Sequence, residues 1–190
     1  MMCLTGTTPT GDSMFRGSQR GYMTDGTASV LRSDRIELRP IDSVAAVDLS
    51  TGGDGGFTWA SGGPYEGTRD ASTMIANAAL AGVFDPAWGA YAIVRTEDGV
   101  AVGGIGFHGP PSEGSAEIGY DLADSARGNG YATEAARTVC AYALGQAGVD
   151  TVVAHTEPDN AASQRVVARA GFRRDGEGEN GLYRFTLRRA

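Results

Sequence analysis

A glycine-rich turn placed directly before an amphipathic helix is the feature that most constrains how this chain folds. The turn contains Arg127, Gly128, Asn129, Gly130 and Tyr131. Glycines adopt positive-φ conformations that aim successive N–H groups at one point, and a following helix adds its unbonded first-turn N–H groups and the positive end of its dipole. The turn therefore predicts an anion site, and a phosphate is the expected guest.

Two other kinds of glycine-rich phosphate site do not fit the sequence. A nucleotide-hydrolysing P-loop carries Lys and then Ser or Thr after its last glycine, whereas Tyr131 and Ala132 follow Gly130 here. A dinucleotide fingerprint, G-x-G-x-x-G, occurs over residues 104–109, but two prolines follow it where a helix should begin. We interpret that stretch as the glycine-rich end of a strand.

The elements around the turn are predicted in the order β, turn, α, β, α, β. A strand is expected over residues 116–122, and apolar residues spaced by three and four positions predict a helix over 130–146. A short β-branched run predicts a strand over 151–155. The next helix is expected to be capped by Asn160 and ended by Gly171.

The first half of the chain is harder to interpret because glycine interrupts its pattern. Alternation predicts a strand over residues 35–40, and short helices are expected over 44–49 and 70–81. Two apolar runs, 91–94 and 100–102, flank a turn and predict a hairpin.

Composition is ordinary for a globular protein, with 41% hydrophobic and 21% charged residues in a chain of 190. We expect residues 1–32, which lack apolar periodicity, to form a flexible N-terminal tail, and residues 33–190 to form a single domain. The sequence shows neither a long apolar run nor a signal-peptide pattern. A cytoplasmic location without a membrane partner is therefore expected.

The net charge argues against nucleic-acid binding, and the spacing of histidine and cysteine argues against a metal site. A formal net charge of −7 disfavours nucleic acid as a partner and weakly favours a cationic acceptor. The histidines are His108 and His155, and the cysteines, Cys3 and Cys140, have no paired spacing, so no metal site is predicted. Cys140 falls in the helix after the turn, where a small buried apolar role is expected.

Two motifs in the right order carry a family resemblance. Arg127, Gly130 and Ala132 form Arg-x-x-Gly-x-Ala, and a second motif runs over residues 158–172, from Pro-Asp-Asn to Ala-Gly-Phe. With these, the chain resembles the Gcn5-related N-acetyltransferase (GNAT) superfamily. It is similar in particular to the bacterial branch that includes the ribosomal-protein N-terminal acetyltransferases. In order of elements, the resemblance covers about residues 33–188.

The resemblance implies both a fold and a reaction. The fold is α+β, with a mixed, mostly antiparallel central sheet of about six to seven strands, splayed at the cofactor site and flanked by about four helices. The reaction is transfer of the acetyl group of acetyl-CoA to a primary amine, by direct attack in a ternary complex. The acceptor is a protein N-terminal α-amine or a small-molecule amine. A catalytically inactive acyl-CoA-binding regulatory domain is the alternative, and a homodimer is left open.

The resemblance also implies which residues hold the coenzyme. Residues 127–132 would bind the pyrophosphate, mostly through main-chain N–H groups, and residues 120–122 would pair with the pantetheine amides as an added strand does. Asn160 would bond the pantetheine arm, and Ser163 would contact the thiol sulfur. The implied cofactor-binding residues are Tyr120, Asp121, Leu122, Arg127, Gly128, Asn129, Gly130, Tyr131, Ala132, Asn160 and Ser163.

An amine must be neutral before it attacks a thioester. At pH 7 this costs about 4.6 kcal/mol for a lysine-like amine and roughly 1 kcal/mol for an α-amine. Glu117, on the strand that leads to the cofactor, is the leading candidate for the general base, with a surface carboxylate as the alternative. His155 is the reserve base, with a structural histidine as the alternative, and an ordered water is the third option.

The departing coenzyme thiolate requires a hydrogen-bond donor. Many members of the superfamily place a tyrosine acid seven residues after Asn160, where this chain has Val167. Ser163 is therefore the candidate that would donate to the sulfur. Its alternative role is capping of the helix that begins after Asn160.

In the resembled family, the segment between the first two strands sets acceptor specificity. Here that segment carries several carboxylates, which would either line a pocket for an amine or face water from a solvated loop. They include Asp48, Asp54, Glu66, Asp70 and Asp85.

Overall fold

The computed structural model describes residues 28–189 of the chain, so residues 1–27 of the expected tail lie outside the described residues. The strands are β1 (Leu31–Arg32), β2 (Ile36–Pro40), β3 (Ala90–Arg95), β4 (Ala101–Phe107), β5 (Ser115–Leu122), β6 (Thr151–Thr156), β7 (Arg173–Glu177) and β8 (Tyr183–Arg188). The α-helices are α1 (Ser43–Ser50), α2 (Glu66–Leu80), α3 (Tyr131–Gly145) and α4 (Ala161–Ala170).

One mixed sheet joins all of these strands, in the order β1-β2-β3-β4-β5-β6-β8-β7. Every neighbouring pair is antiparallel except β5 and β6, which are parallel and joined through α3. Pairing of β5 with β6 is confined to Ser115, Ala116 and Glu117. Beyond Glu117, β5 continues beside β4 and β6 continues beside β8, so the sheet splays there.

The predicted α+β class, the mixed sheet and its splay are confirmed. The sheet has eight strands, compared with the expected six to seven. The difference comes from short edge strands such as β1, which is two residues long. Antiparallel pairing begins at Leu31, opposite Leu38. Sheet pairing among the described residues therefore begins two residues before residue 33, and the domain boundary at residue 33 stays a prediction.

Helix α2 begins at Glu66, four residues before the predicted start at residue 70. Its first turn is capped from β5, because the carboxylate of Asp121 accepts from the main-chain N–H of Thr68 at 2.6 Å and from its hydroxyl at 2.9 Å. The same carboxylate accepts from the N–H of Gly104 at 2.7 Å. Burial raises the pKa of Asp121, while these three donors oppose the rise.

Helices cover both faces of the sheet. Residues Tyr120 and Asp121 are adjacent on β5 and so point to opposite faces, the first towards α4 and the second towards α2. Helix α3 buries Val139 and Cys140 in the larger apolar cluster, together with side chains from β2 to β6. As expected, Cys140 is buried, and burial raises the pKa of its thiol to about 12.

Candidate active site

A cleft of about 380 Å³ opens where β5 leaves β6. It lies between the second half of β5, the glycine-rich turn and α4. Nine of the eleven residues expected to bind coenzyme line it: Tyr120, Asp121, Leu122, Arg127, Gly128, Gly130, Ala132, Asn160 and Ser163. The remaining lining residues are Thr133, Ala162, Arg165, Val166 and Arg169, which the sequence did not single out.

The turn has the conformation expected of an anion site. Gly128 and Gly130 take φ values of 80° and 84°, which an L side chain rarely adopts. Gly130 is the N-cap residue of α3 and, among residues 28–189, no side-chain cap bonds the first-turn N–H groups there. These donors and the positive end of the helix dipole therefore face the cleft without a competing cap.

Asn129 and Tyr131 support the turn from outside the cleft lining. The Asn129 side chain donates to the main-chain carbonyls of Ala126 and Arg127, each at 3.2 Å, and the main-chain carbonyl of Asn129 accepts from the Arg35 guanidinium at 3.0 Å. The Arg35 guanidinium lies over the Tyr131 ring, 5.1 Å from its centroid. Both residues therefore hold the backbone of the turn in place.

Glu134, in the first turn of α3, ties the site to β2. Its carboxylate pairs with the Arg35 guanidinium at 2.6 Å and accepts from the Ser33 hydroxyl at 2.7 Å. Burial alone would raise its pKa, but bonds from the Arg35 main chain, Ser33 and the Arg35 guanidinium lower the pKa below its usual range. Sequence reasoning missed this contact because the partners are 99 residues apart.

Positive charge in the cleft comes from two elements. Arg127 belongs to the turn and pairs with Asp124 at 2.9 Å, both side chains being exposed. Arg165 and Arg169 lie one helical turn apart on α4 and also line the cleft. A cleft lined by three arginines and by an uncapped helix N-terminus is suited to phosphate groups.

A pair of hydroxyl groups lies deeper in the cleft. The Tyr120 hydroxyl is 2.6 Å from Ser163 Oγ, and Asn160 Oδ1 accepts from the Ser163 N–H at 3.0 Å. Burial raises the pKa of Tyr120, although the bond to Ser163 opposes the rise, so the phenol remains protonated at neutral pH. Val167 is fully buried in the core. The Tyr120 phenol of β5 therefore lies beside Ser163. This chain lacks the tyrosine that many members of the superfamily carry on the helix that corresponds to α4.

The two candidate bases touch each other. His155 Nδ1 lies 2.9 Å from Glu117 Oε1, and His108 Nδ1 approaches the same oxygen at 3.2 Å. Because a carboxylate only accepts, each imidazole uses a protonated Nδ1 and keeps Nε2 as an acceptor when neutral. Sequence reasoning did not select His108, which follows β4 in the stretch that was interpreted as a strand end.

Two glycines make room for these imidazoles. A Cβ at Gly119 would lie 2.7 Å from His108 Nε2, and one at Gly178 would lie 2.8 Å from His155 Nε2. Both distances are far inside van der Waals contact, so each ring requires glycine beneath it. Neither glycine carries a sequence signal, because its partner comes from another strand.

Several of the acidic residues before β3 serve local turns. Asp48 accepts from the N–H of Gly55 at 2.8 Å, and Asp54 from the N–H of Gly56 at 2.8 Å. Asp85 caps the 3₁₀ turn at Pro86–Trp88. Of the two alternatives for this segment, the contacts of these three residues favour a structural role over an amine pocket.

Within residues 28–189, no helix is both long and apolar enough to cross a bilayer. The same part of the chain has no group of three or more His, Cys, Asp or Glu side chains arranged to hold a metal ion.

Comparison with known proteins agrees with this geometry. The model of the acetyltransferase (GNAT) domain family matches residues 35–173. Among curated proteins, the Bacillus subtilis N-acetyltransferase YjdG is 40% identical over 81 residues, which cover 42% of this chain and 48% of YjdG. The B. subtilis N-acetyltransferase YnaD is 33% identical over 84 residues, 44% of this chain and 49% of YnaD. The chain thus spans about half the length of the curated relatives it matches.

Solved structures share the whole fold. An acetyltransferase from Agrobacterium tumefaciens has a TM-score of 0.60 and 27% identity, covering 86% of this chain and 96% of its own. The ribosomal-protein-S5-alanine acetyltransferase of Vibrio fischeri has a TM-score of 0.59 at 15% identity, with 85% and 97% covered. Mycobacterium smegmatis RimJ, in complex with a CoA-disulfide, has a TM-score of 0.56 at 21% identity, with 84% and 86% covered. The resemblance predicted from two motifs is confirmed, and the chain belongs to the GNAT family of acetyltransferases.

Proposed function

We propose that this chain transfers the acetyl group of acetyl-CoA to a primary amine by direct attack in a ternary complex. The observation that carries the proposal is the cleft at the splay. There an unpaired edge of β5 leads from an uncapped phosphate turn to a carboxylate that contacts two imidazoles.

The residues of the cleft fit coenzyme A. The turn and the two α4 arginines, Arg165 and Arg169, would hold the phosphates, and the β5 edge at residues 118–122 offers main-chain groups to the pantetheine amides. Asn160 keeps its side-chain amide N–H₂ for a ligand while its oxygen caps α4. Acetyl-CoA would supply the acyl thioester, and the chain would supply positioning, a base and hydrogen-bond donors.

Glu117 would remove the proton from the acceptor amine. Its Oε1 already bonds His155 and His108, so an arriving amine would meet Oε2. His155, acting through its Nε2 and oriented by Glu117, is the second candidate for the base. As the nitrogen–carbon bond forms, the carbon–sulfur bond of the thioester breaks.

Ser163, supported by Tyr120, would donate a hydrogen bond to the sulfur of the departing thiolate. With the Tyr120 phenol as the donor to Ser163 Oγ, the Ser163 hydroxyl hydrogen would be free to bond a thiolate. A thiolate with a pKa of about 8.5 leaves readily, so a hydrogen bond is sufficient and full proton transfer is not required. A protein N-terminal α-amine and a small-molecule amine both meet these requirements. The cytoplasmic location and the homodimer stay predictions.

The first test is calorimetry with acetyl-CoA on wild type and on Gly130→Asp, which adds a negative charge at a residue that lines the cleft and strains a positive-φ position. Gly145→Asp is the matched control, since Gly145 ends the same helix and its Cβ would meet open space. We expect Gly130→Asp to weaken binding severely and Gly145→Asp to bind as wild type does. Equal affinity of all three proteins would contradict the proposed phosphate site.

A panel of primary amines is then added to the same samples and thiol release is followed. Release confirms the enzyme and gives the class of its acceptor. Tight binding with no release across the panel favours the acyl-CoA-binding regulatory domain instead.

A further inference from the structure

A second, smaller cleft lies at the end of β4, where residues of α2 meet Trp88 and Phe107, whose rings also pack against Tyr142 of α3. It measures about 170 Å³ and runs between the C-terminal half of α2 and the end of β4. Its walls are apolar, and the side chains that form them include Met74, Ile75, Ala78, Phe84, Trp88 and Phe107. We call this cleft the α2 groove.

The α2 groove is continuous with the candidate base. His108 forms part of its lining, and His108 Nδ1 is 3.2 Å from Glu117 Oε1. Glu117, His108 and Gly119 lie together on the α2 side of the sheet, because the odd-numbered residues of β5 point there with Asp121. An amine that reaches Glu117 from this side would therefore have the groove beside it.

We infer that the α2 groove binds the apolar side chain of the acceptor. The preferred acceptor would then be an α-amine whose α-carbon carries one aromatic or branched aliphatic side chain. This inference rests on the proposed function. Size supports it, since a cavity of about 150 Å³ holds a benzene molecule, and the α2 groove is of similar volume.

The chemistry of the lining argues against a polyamine. Asp85 is the one carboxylate among the lining residues, and its Oδ1 already accepts from the N–H of Ala87 at 3.0 Å. A second ammonium group lodged in the groove would lose its hydration against apolar walls. Trp88 packs edge-on against Phe107, with ring centroids 4.9 Å apart, which gives the groove a preformed aromatic wall.

The groove also has a part that can adapt. Met74 lies on α2 at its mouth with 55% of its surface exposed, and a thioether chain adjusts readily to different apolar shapes. The α2 groove is therefore suited to select for apolar character and size more than for a single side chain.

The test compares glycinamide, alaninamide, leucinamide and phenylalaninamide as acceptors at saturating acetyl-CoA, with spermidine as the cationic comparison. We expect kcat/KM to rise roughly fourfold for each methylene that becomes buried, chiefly through a lower KM, and to be lowest for spermidine. Equal kcat/KM along the amide series, or a preference for spermidine, would overturn the inference and leave acetyl transfer itself standing. No thiol release with any amine, while coenzyme A binds, would overturn both.

Ala78→Phe fills the groove, and Asn77→Phe adds the same side chain at the adjacent exposed position of α2. We expect Ala78→Phe to lower the ratio of kcat/KM for phenylalaninamide over glycinamide at least tenfold, and Asn77→Phe to keep the wild-type ratio. The same ratio in both variants would contradict the inference. Coenzyme affinity of each variant shows that it has folded.

Binding can also be measured without turnover. Trp59→Phe leaves Trp88 as the single tryptophan of the chain. Leucinamide titrated into the complex of this variant with coenzyme A should change the Trp88 fluorescence, and glycinamide at the same concentrations should not. A signal that is the same for both amides would show that the apolar side chain binds elsewhere.

Discussion

The carboxylate of Asp121 accepts the main-chain N–H of Thr68 at 2.6 Å, so a strand at the coenzyme cleft caps a helix on the other face of the sheet. Both oxygens accept from a backbone donor, since Gly104 N–H bonds Oδ1. An asparagine has one acceptor oxygen and would turn its amide N–H₂ towards a second donor. We therefore expect Asp121→Asn to lower the free energy of unfolding by about 1–3 kcal/mol in urea denaturation.

The exposed Asp70, in the same helix, provides the control. Asp70→Asn should change stability by less than about 0.5 kcal/mol, as surface substitutions usually do. If the two variants are equally stable, the Asp121 contact does not hold the start of α2.

The ionisation of Glu134 should make the free energy of unfolding depend on pH. Its folded-state pKa is lower than the ordinary 4.5, so its ionised form stabilises the fold at neutral pH, and that contribution is lost as the pH falls through the folded-state value. We expect Glu134→Gln to cost about 1–2 kcal/mol at pH 7, with the difference from wild type shrinking below about pH 4.5. Urea denaturation of both proteins at pH 7 and below about pH 4.5 measures this difference in the free energy of unfolding. A difference that is constant with pH would contradict the ionic role.

Glu117→Gln should lower kcat by about 10²–10⁴-fold while coenzyme affinity stays as in wild type. The amide cannot take a proton from the amine, so turnover of the variant should depend on acceptor that is already neutral and should rise with pH as the free amine deprotonates. Glu97→Gln removes a carboxylate that is 67% exposed and is the matched control. An unaffected Glu117→Gln enzyme across the pH range would show that the base is elsewhere, and a His155→Gln variant with the larger loss would assign it to the imidazole.

Tyr120→Phe should lower kcat by roughly tenfold to a hundredfold. The expected loss is smaller than that of an oxyanion-hole donor because a thiolate leaves readily. Since the phenol acts through Ser163, the effects of Tyr120→Phe and Ser163→Ala should not add in the double variant. Stopped-flow measurement of thiol release checks this, with Tyr183→Phe on β8 as the control. Fully additive losses would show that the two hydroxyls act separately.

Local patterns predicted those parts of the molecule that are stabilised locally. The helix after Gly130, the cap at Asn160 and the left-handed Gly171 at the end of α4 depend on residues within a few positions of one another, and the structure has all three. The turn in the cleft lining followed from consecutive residues, whereas the lining residues of β5 and α4 followed from the family resemblance. These features needed no knowledge of the sheet.

Contacts between distant segments could not be predicted in this way. The start of α2 depends on Asp121, which is 53 residues away, and the turn depends on Arg35, from the other end of the domain. His108 joins Glu117 because β4 pairs with β5. The residues next to a polar side chain in a strand do not indicate which residue on another strand it will contact. The contact between His108 and Glu117 can therefore be predicted only when the register of the sheet is known.

The burial of Cys140 has a practical consequence for measuring turnover. With a pKa of about 12, roughly one Cys140 side chain in ten thousand is a thiolate at pH 8, and the packing of α3 keeps reagents away from it. The other cysteine is Cys3. In a Cys3→Ser chain, a colorimetric thiol reagent should therefore report the released coenzyme with almost no background from the protein.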